Sequence, residues 1–432
     1  MQIKWGENAV NGAPVTWDSS RVVNPHIGLF GDTGMGKTHN IQKIINELLE
    51  TSTHNRLRFH IFDAHGDIEI EGASTVHFHE SADFGFNLLE LNSDPEFGGI
   101  RKRIQSLITA INKTSTRLGH RQERLLTRLL TGLYRDAGFI ITDPSTWGLS
   151  PERPAYPTLL DAIDYSRQYL HSVYTGSTSA AVTALQDVNK LVKLIRAREV
   201  SLQRMGGDDP SIEKLQRDLD AAKQKAILSY TEAVNGVSSG EELDMAIESE
   251  GQEETLRAVI DRLENLYGIG IYRSTPPPLD PRNPVWRYVI KALESEEKKL
   301  FTMTRLETLF TRAIQRGVQS EIRDVVILDE AHLYLEKEDD YIVNRMVREL
   351  RKFGVMMVFA THGLNDYTQS TLAGLGTKIV LGVDHTYRRV AATKLMIDEP
   401  TMNFIVPHQR ILAQMKNRGE TNTVTHRVLL NS

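Results

Sequence analysis

The stretch GLFGDTGMGKTHN, Gly28 to Asn40, constrains this chain more than any other. The pattern G-x-x-x-x-G-K-[ST] is met by Gly31, Asp32, Thr33, Gly34, Met35, Gly36, Lys37 and Thr38. The glycines let backbone N–H groups turn inward around phosphate oxygens with no Cβ in the way. Lys37 reaches the outer phosphates as a point charge, and the Thr38 hydroxyl is offered to Mg²⁺. The flanks fit as well. HIGLF before the loop is strand-like, and Ile41, Ile44, Ile45, Leu48 and Leu49 after it recur at helical spacing. That helix, beginning at Lys37 and carrying His39 in its first turn, aims its positive dipole end at the phosphates. The segment is a nucleoside triphosphate site. ATP is the expected nucleotide, because no guanine-reading motif is present.

A phosphate loop needs a carboxylate for the metal and a group to activate water. DVVILDEAH, Asp324 to His332, supplies both. Val325 to Leu328 form a continuous apolar run, as a buried parallel strand does. Asp329 follows at its C-terminal end, where ligands collect in an open α/β sheet. Asp329 is assigned to Mg²⁺ and Glu330 to the attacking water, as general base. The letters DEAH also occur in two-lobed helicases, but the spacing argues against a second lobe. About 290 residues lie between Lys37 and Asp329, and only about 100 follow, which the first sheet needs for itself.

The remaining pattern predicts an α/β chain with a mainly parallel sheet and a large helical insertion. Residues 1–25 read as a small β element. Residues 26–93 and 285–432 read as the sheet domain, with 94–284 as the insertion, including a helical hairpin near 180–230. Strands are expected at RLRFHIFD, FGFNLLEL (Phe84–Leu91), VWRYVIK, VMMVFATHG and GTKIVLGV, with a closing hairpin near the C-terminus. SSGEELDMAIESEGQEET, Ser238 to Thr255, reads as a solvated connection. There is no cysteine, which excludes disulfides and thiolate metal sites. No apolar run long enough to span a bilayer and no apolar leader is present, so the expectation is a cytoplasmic protein without a membrane partner. The formal net charge of −5 confines any nucleic-acid contact to local basic groups, with Arg101–Arg103 and Lys190–Arg198 as candidates.

Taken in order, the phosphate loop, DAHGD (Asp63–Asp67), a helical insertion, VVILDEAH, RELRKFGV and a strand ending ATH resemble the HerA–FtsK superfamily of ring ATPases. The opening GAPVTWDSSRVVNPHIGLFGDTGMGKT is similar to the HerA-like ATPase region of bacterial DNA-defence proteins, including phosphorothioate-dependent restriction systems. The resemblance implies a RecA-like P-loop NTPase core, ATP and Mg²⁺ as cofactors, a homo-hexamer, double-stranded DNA in its centre and a nuclease or other effector as partner. It also implies that a neighbour's arginine completes each site, with Arg348 or Arg351 as that residue and Arg348 preferred. Asp63 and His65 either approach water and metal or cap the strand end. His362 stands where the family usually has Gln, as a γ-phosphate sensor or as a structural histidine.

Overall fold

The computed structural model describes residues 1–430 apart from 53–55, 115–116, 176–186, 197–209, 236–251, 337–340 and 366. The chain divides into two compact units, Met1–Asn87 with Ile269–Ser432, and Leu88–Gly268. The first unit is built on one sheet. In chain order its strands are β1 (Gln2–Asn8), β2 (Pro14–Asp18), β3 (Ile27–Gly31), β4 (Arg58–Asp63), β5 (Ser74–His77), β6 (Val285–Val289), β7 (Asp324–Leu328), β8 (Val355–Thr361), β9 (Thr377–Gly382), β10 (Arg410–Met415) and β11 (Val424–Leu429). Across the sheet they run β2-β1-β11-β10-β9-β3-β8-β7-β4-β6-β5. From β9 to β5 every neighbour is parallel. From β9 to β2 every pairing is antiparallel.

Burial explains the strand sequences. All seven residues of β8, VMMVFAT, are buried, as are all five of β3. Strands covered on both faces read as continuous apolar runs and lose the alternating pattern of a half-exposed strand. Helix α1 (Lys37–Thr51) lays Ile41, Ile44, Ile45 and Leu48, all fully buried, on one face of that sheet. Each such side chain contributes about 1.5–3 kcal/mol.

Three particulars depart from the sequence pattern. The N-terminal β1–β2 hairpin is part of the main sheet, with Glu7 paired to Leu429 and Asn8 to Val428. No strand forms over Phe84–Leu91. The edge strand is β5, and Phe84 and Phe86 are apolar because they pack on Phe78, with ring centroids 5.8 and 5.7 Å away. The stretch after Gly268 belongs with the sheet unit: Phe86 N–H donates to the Ile271 carbonyl at 3.0 Å, and Asp280 N–H to the Ser74 hydroxyl at 2.8 Å.

The second unit is helical. It contains α2 (Ile100–Thr114), α3 (His120–Asp136), α4 (Leu159–Thr175), α5 (Pro210–Asn235) and α6 (Gln252–Gly268). Helix α3 buries Leu125, Leu126, Leu129, Leu130 and Tyr134, and the Tyr134 hydroxyl donates to the Leu89 carbonyl at 2.7 Å. The turn of the expected hairpin at 206–209 and most of the acidic connection lie outside the described residues. Back in the sheet unit, α7 (Ser295–Arg316) and α8 (Ile342–Glu349) flank β7 in sequence.

Candidate active site

The site forms where β3, β8 and β7 end. Val358 of β8 is paired with Ile27 of β3 on one side and Ile327 of β7 on the other. The sequence pattern puts the phosphate loop and the acidic strand on adjoining tips. In the structure β8 runs between them, so His362, just beyond β8, stands between Lys37 and Glu330.

The loop is open to an anion. Gly34 and Gly36 have φ of 78° and 86°, a region that L side chains rarely adopt. Gly36 precedes α1 with no side-chain cap and no acidic residue in the first turn. The leading N–H groups of the helix are therefore free of a competing carboxylate. Lys37 is buried, and its ammonium donates to the Gly31 carbonyl at 2.9 Å and to His362 Nδ1 at 3.0 Å. With Nδ1 accepting, the proton of neutral His362 is on Nε2, which lies 2.8 Å from Glu330 Oε1. A single imidazole thus links the lysine to the carboxylate. The lysine and Glu330 Oε1 are themselves 3.9 Å apart.

Glu330 occupies a strained backbone position, φ 48° and ψ 52°, immediately after β7. Non-glycine residues in this region cluster at functional sites. Its carboxylate is also approached by His332 Nδ1 at 3.2 Å and His65 Nε2 at 3.6 Å. Burial pushes the Glu330 carboxyl up, but the His332 contact and the Lys37 charge outweigh it, and the group stays below the usual carboxylate range. Burial pulls Lys37 down against the opposing pull of Glu330, Asp329, Asp32 and Asp67.

Asp329 is 5% exposed, and its Oδ2 has no hydrogen-bond partner among the described residues. Burial first, then Glu330, Asp63 and Asp67, push its carboxyl up to about 7, opposed by the Glu330 backbone N–H. One oxygen each of Asp63, Asp67 and Asp329 lies within 4.8 Å of the others. A buried carboxylate with one unpartnered oxygen among other carboxylates is what a hard divalent cation neutralises. Asp63 itself is fully buried and already well bonded. Its oxygens accept from Gly66 N–H at 2.6 Å and Ile68 N–H at 3.2 Å, and Arg287 donates through Nε at 2.8 Å and Nη2 at 2.6 Å. Asp63 therefore caps the end of β4 while standing beside Asp329, whose Oδ2 has no partner among the described residues.

Residues 3–144 match the family described as Helicase HerA, central domain. That stretch, about a third of the chain, carries the phosphate loop and is what this chain shares with that family. No curated protein matches it in sequence. Its fold is similar to VirB4 of Thermoanaerobacter pseudethanolicus, with a TM-score of 0.59 and 14% identity over 100% of this chain and 96% of that one. It is also similar to the plasmid coupling protein TrwB in complex with ADP and Mg²⁺, with a TM-score of 0.52 and 11% identity over 99% and 90%.

The donor set of the site fits ATP with Mg²⁺. The glycine cradle and Lys37 suit the phosphates, and Thr38 and Asp329 suit the metal. Bound Mg²⁺ supplies charge neutralisation for the phosphates. The chain's own residues orient Glu330 by three histidines, keep it ionised and shield it from bulk water. Asp32 anchors the loop: its N–H donates to the Gly382 carbonyl at 3.1 Å and a carboxylate oxygen accepts from Asp384 N–H. Thr33 and His39 are exposed beside the cradle, and Met35 is half-buried.

Arg348 and Arg351 lie elsewhere. Both are exposed and lead into Gly354, which precedes the first residue of β8. Lys37 and His362 lie at its other end, so about seven residues of strand, or ~20 Å, separate them. In the helical unit, Arg101 and Lys102 are exposed on α2 and Arg103 is half-buried, while Arg198 lies outside the described residues.

Sequence reasoning passed over four members of the site. Asp67 and His332 stood inside quoted motifs without a role. Arg287 and His408 lie far along the chain, and no local pattern marks them. His408 reaches back to donate from Nε2 to the Gly34 carbonyl at 2.8 Å.

Proposed function

We propose that this ATPase is a ring-forming motor that moves double-stranded DNA and serves a nuclease or other effector, in DNA processing or defence against phage. The observation that carries this reading is the separation of Arg348 and Arg351 from the site in their own chain. Each site has a cradle, a base and a metal position, but the arginines of RELRKFG are at the far end of β8. A neighbouring subunit in a ring supplies that missing cation to the γ-phosphate, as arginine fingers do in trans. A motor also needs basic groups that touch phosphates without reading sequence, and Arg101–Arg103 are the candidates. The test is to size the protein with and without ATP and duplex DNA while measuring phosphate release. A hexamer whose hydrolysis rises with duplex supports the motor. ATP-dependent assembly with no duplex stimulation supports a nucleotide-gated scaffold instead.

A second reading is a pump ATPase of the conjugation type. It is favoured by the likeness in fold to TrwB over nearly the whole chain. No helix among the described residues is long and apolar enough to cross a membrane. Stimulation by single-stranded but not duplex DNA would select it.

A further inference from the structure

Helix α9 (His385–Leu395) belongs to the sheet unit and carries Lys394 in its last turn. A lysine there ordinarily serves the dipole of its own helix. Lys394 instead reaches a neighbouring segment, the turn that follows β8. Its ammonium donates to three backbone carbonyls, Leu364 at 2.7 Å, Asn365 at 3.1 Å and Tyr367 at 3.2 Å. These carbonyls belong to no strand or helix, so their partners must come from outside the regular structure. The three donors of one ammonium match the three acceptors. The arrangement is that of a monovalent cation held by backbone carbonyls.

The turn so held is the one that leaves the site. His362 lies just beyond β8, and a single residue, Gly363, separates it from the buried Leu364. At the far end of the turn Tyr367 is buried, with its ring edge-on to Phe30 of β3 at 5.5 Å and to Phe359 of β8 at 6.2 Å. Ring packing therefore fixes the far end, and Lys394 holds the near end beside His362. The other end of α9 touches the phosphate loop. Asp384 caps the helix by accepting from the Thr386 N–H at 2.8 Å, and its own N–H donates to the Asp32 carboxylate. The Leu395 carbonyl accepts from the buried Gln414 of β10 at 2.9 Å, which fastens the last turn to the sheet. One helix of eleven residues, ~16 Å long, thus contacts the phosphate loop at its start and the His362 turn at its end.

We propose that Lys394 is a positioning residue for ATP hydrolysis: its ammonium acts as a built-in monovalent cation that fixes the turn after β8 and so holds His362 between Lys37 and Glu330. The proposal rests on the reading of Glu330 as the base. His362 meets Lys37 at 3.0 Å through Nδ1 and Glu330 at 2.8 Å through Nε2, and both contacts depend on the path the backbone takes out of β8. Without a cation among them, three converging carbonyl dipoles repel one another and the turn relaxes. The phosphate cradle is built on β3 and α1 instead. Lys394 therefore acts on the hydrolytic step and leaves ATP binding alone.

The experiment measures ATP affinity by titration calorimetry and kcat by phosphate release, both in Mg²⁺ on the full chain. Lys394→Met keeps most of the aliphatic stem and removes the charge. Its ATP affinity should be unchanged, which also shows that the loop is folded, while kcat falls by about 10–100-fold, the cost of displacing a reacting group by ~1 Å. Lys394→Ala leaves the carbonyls open to a small cation. Replacing choline chloride by ammonium chloride at constant ionic strength should raise the kcat of Lys394→Ala several-fold and leave that of wild type unchanged. A wild-type kcat in Lys394→Met, a loss of ATP affinity in step with kcat, or the same response of Lys394→Ala and wild type to ammonium would each overturn the positioning role while leaving Glu330 as the base. Wild type that binds ATP and does not hydrolyse it would sink the reading of Glu330, and the role of Lys394 with it.

Discussion

His26 sits just before β3 and is fully buried. Its Nδ1 accepts from the Met357 N–H at 3.0 Å, so the ring proton is on Nε2, which donates to the Val347 carbonyl at 3.1 Å. One neutral imidazole therefore ties the strand feeding the phosphate loop to β8 and to the helix turn beside Arg348. Burial lowers its pKa from 6.5 to about 4, with the Arg351 charge acting the same way and the Val347 carbonyl opposing. The sign follows from linkage. The unfolded chain takes up a proton below about 6.5 that the folded chain refuses until about 4, so stability is lost as pH falls through that window. The full shift is worth ~3 kcal/mol, and ~2 kcal/mol of it is gone by about pH 5. His26→Gln retains amide donors and an acceptor but does not titrate. In urea unfolding followed by tryptophan fluorescence, wild type should lose ~2 kcal/mol more than the variant between about pH 7.5 and pH 5. His60, also buried and lowered by its burial, is common to both proteins and cancels. Parallel pH dependences in the two proteins would refute the assignment of a neutral His26 at this junction.

Lys37→Ala should abolish Mg²⁺–ATP binding or turnover, read by nucleotide titration and phosphate release, because it removes the cation that bridges the cradle and His362. Arg287→Met should destabilise the sheet unit by ~3–5 kcal/mol, because the fully buried Asp63 is left without its counter-ion; urea unfolding measures it. Arg348→Ala should bind ATP but lose turnover, and mixing it with Glu330→Gln subunits should restore part of the activity through mixed interfaces. Absence of rescue on mixing would remove the trans arginine.

The elements that carry the candidate site were legible in the sequence where they are local. The loop, α1, β7 with Asp329 and Glu330, and β8 ending at His362 all follow from patterns a few residues long, because phosphate cradles and buried parallel strands impose their residue types on consecutive positions. What was not legible is set by strand order. Nothing in DVVILDEAH says that β8 runs between it and β3, so the His362 bridge from Lys37 to Glu330 could not be read from either segment. Arg287 is recognisable as a partner of Asp63 only once β4 and β6 are paired side by side. His408 meets the loop only because β10, which follows it, pairs with β9, the neighbour of β3. Phe84–Leu91 misled for the opposite reason: an apolar run there marks ring packing on Phe78, and composition alone does not distinguish that from a strand.

The most direct test is Mg²⁺-dependent ATP binding and single-turnover hydrolysis by Glu330→Gln. The account predicts wild-type ATP affinity with phosphate release slowed by roughly 10²–10⁴, since the amide keeps the shape of the side chain and loses the base. Release at the wild-type rate would contradict it, and would show that Glu330 is not the group that activates water.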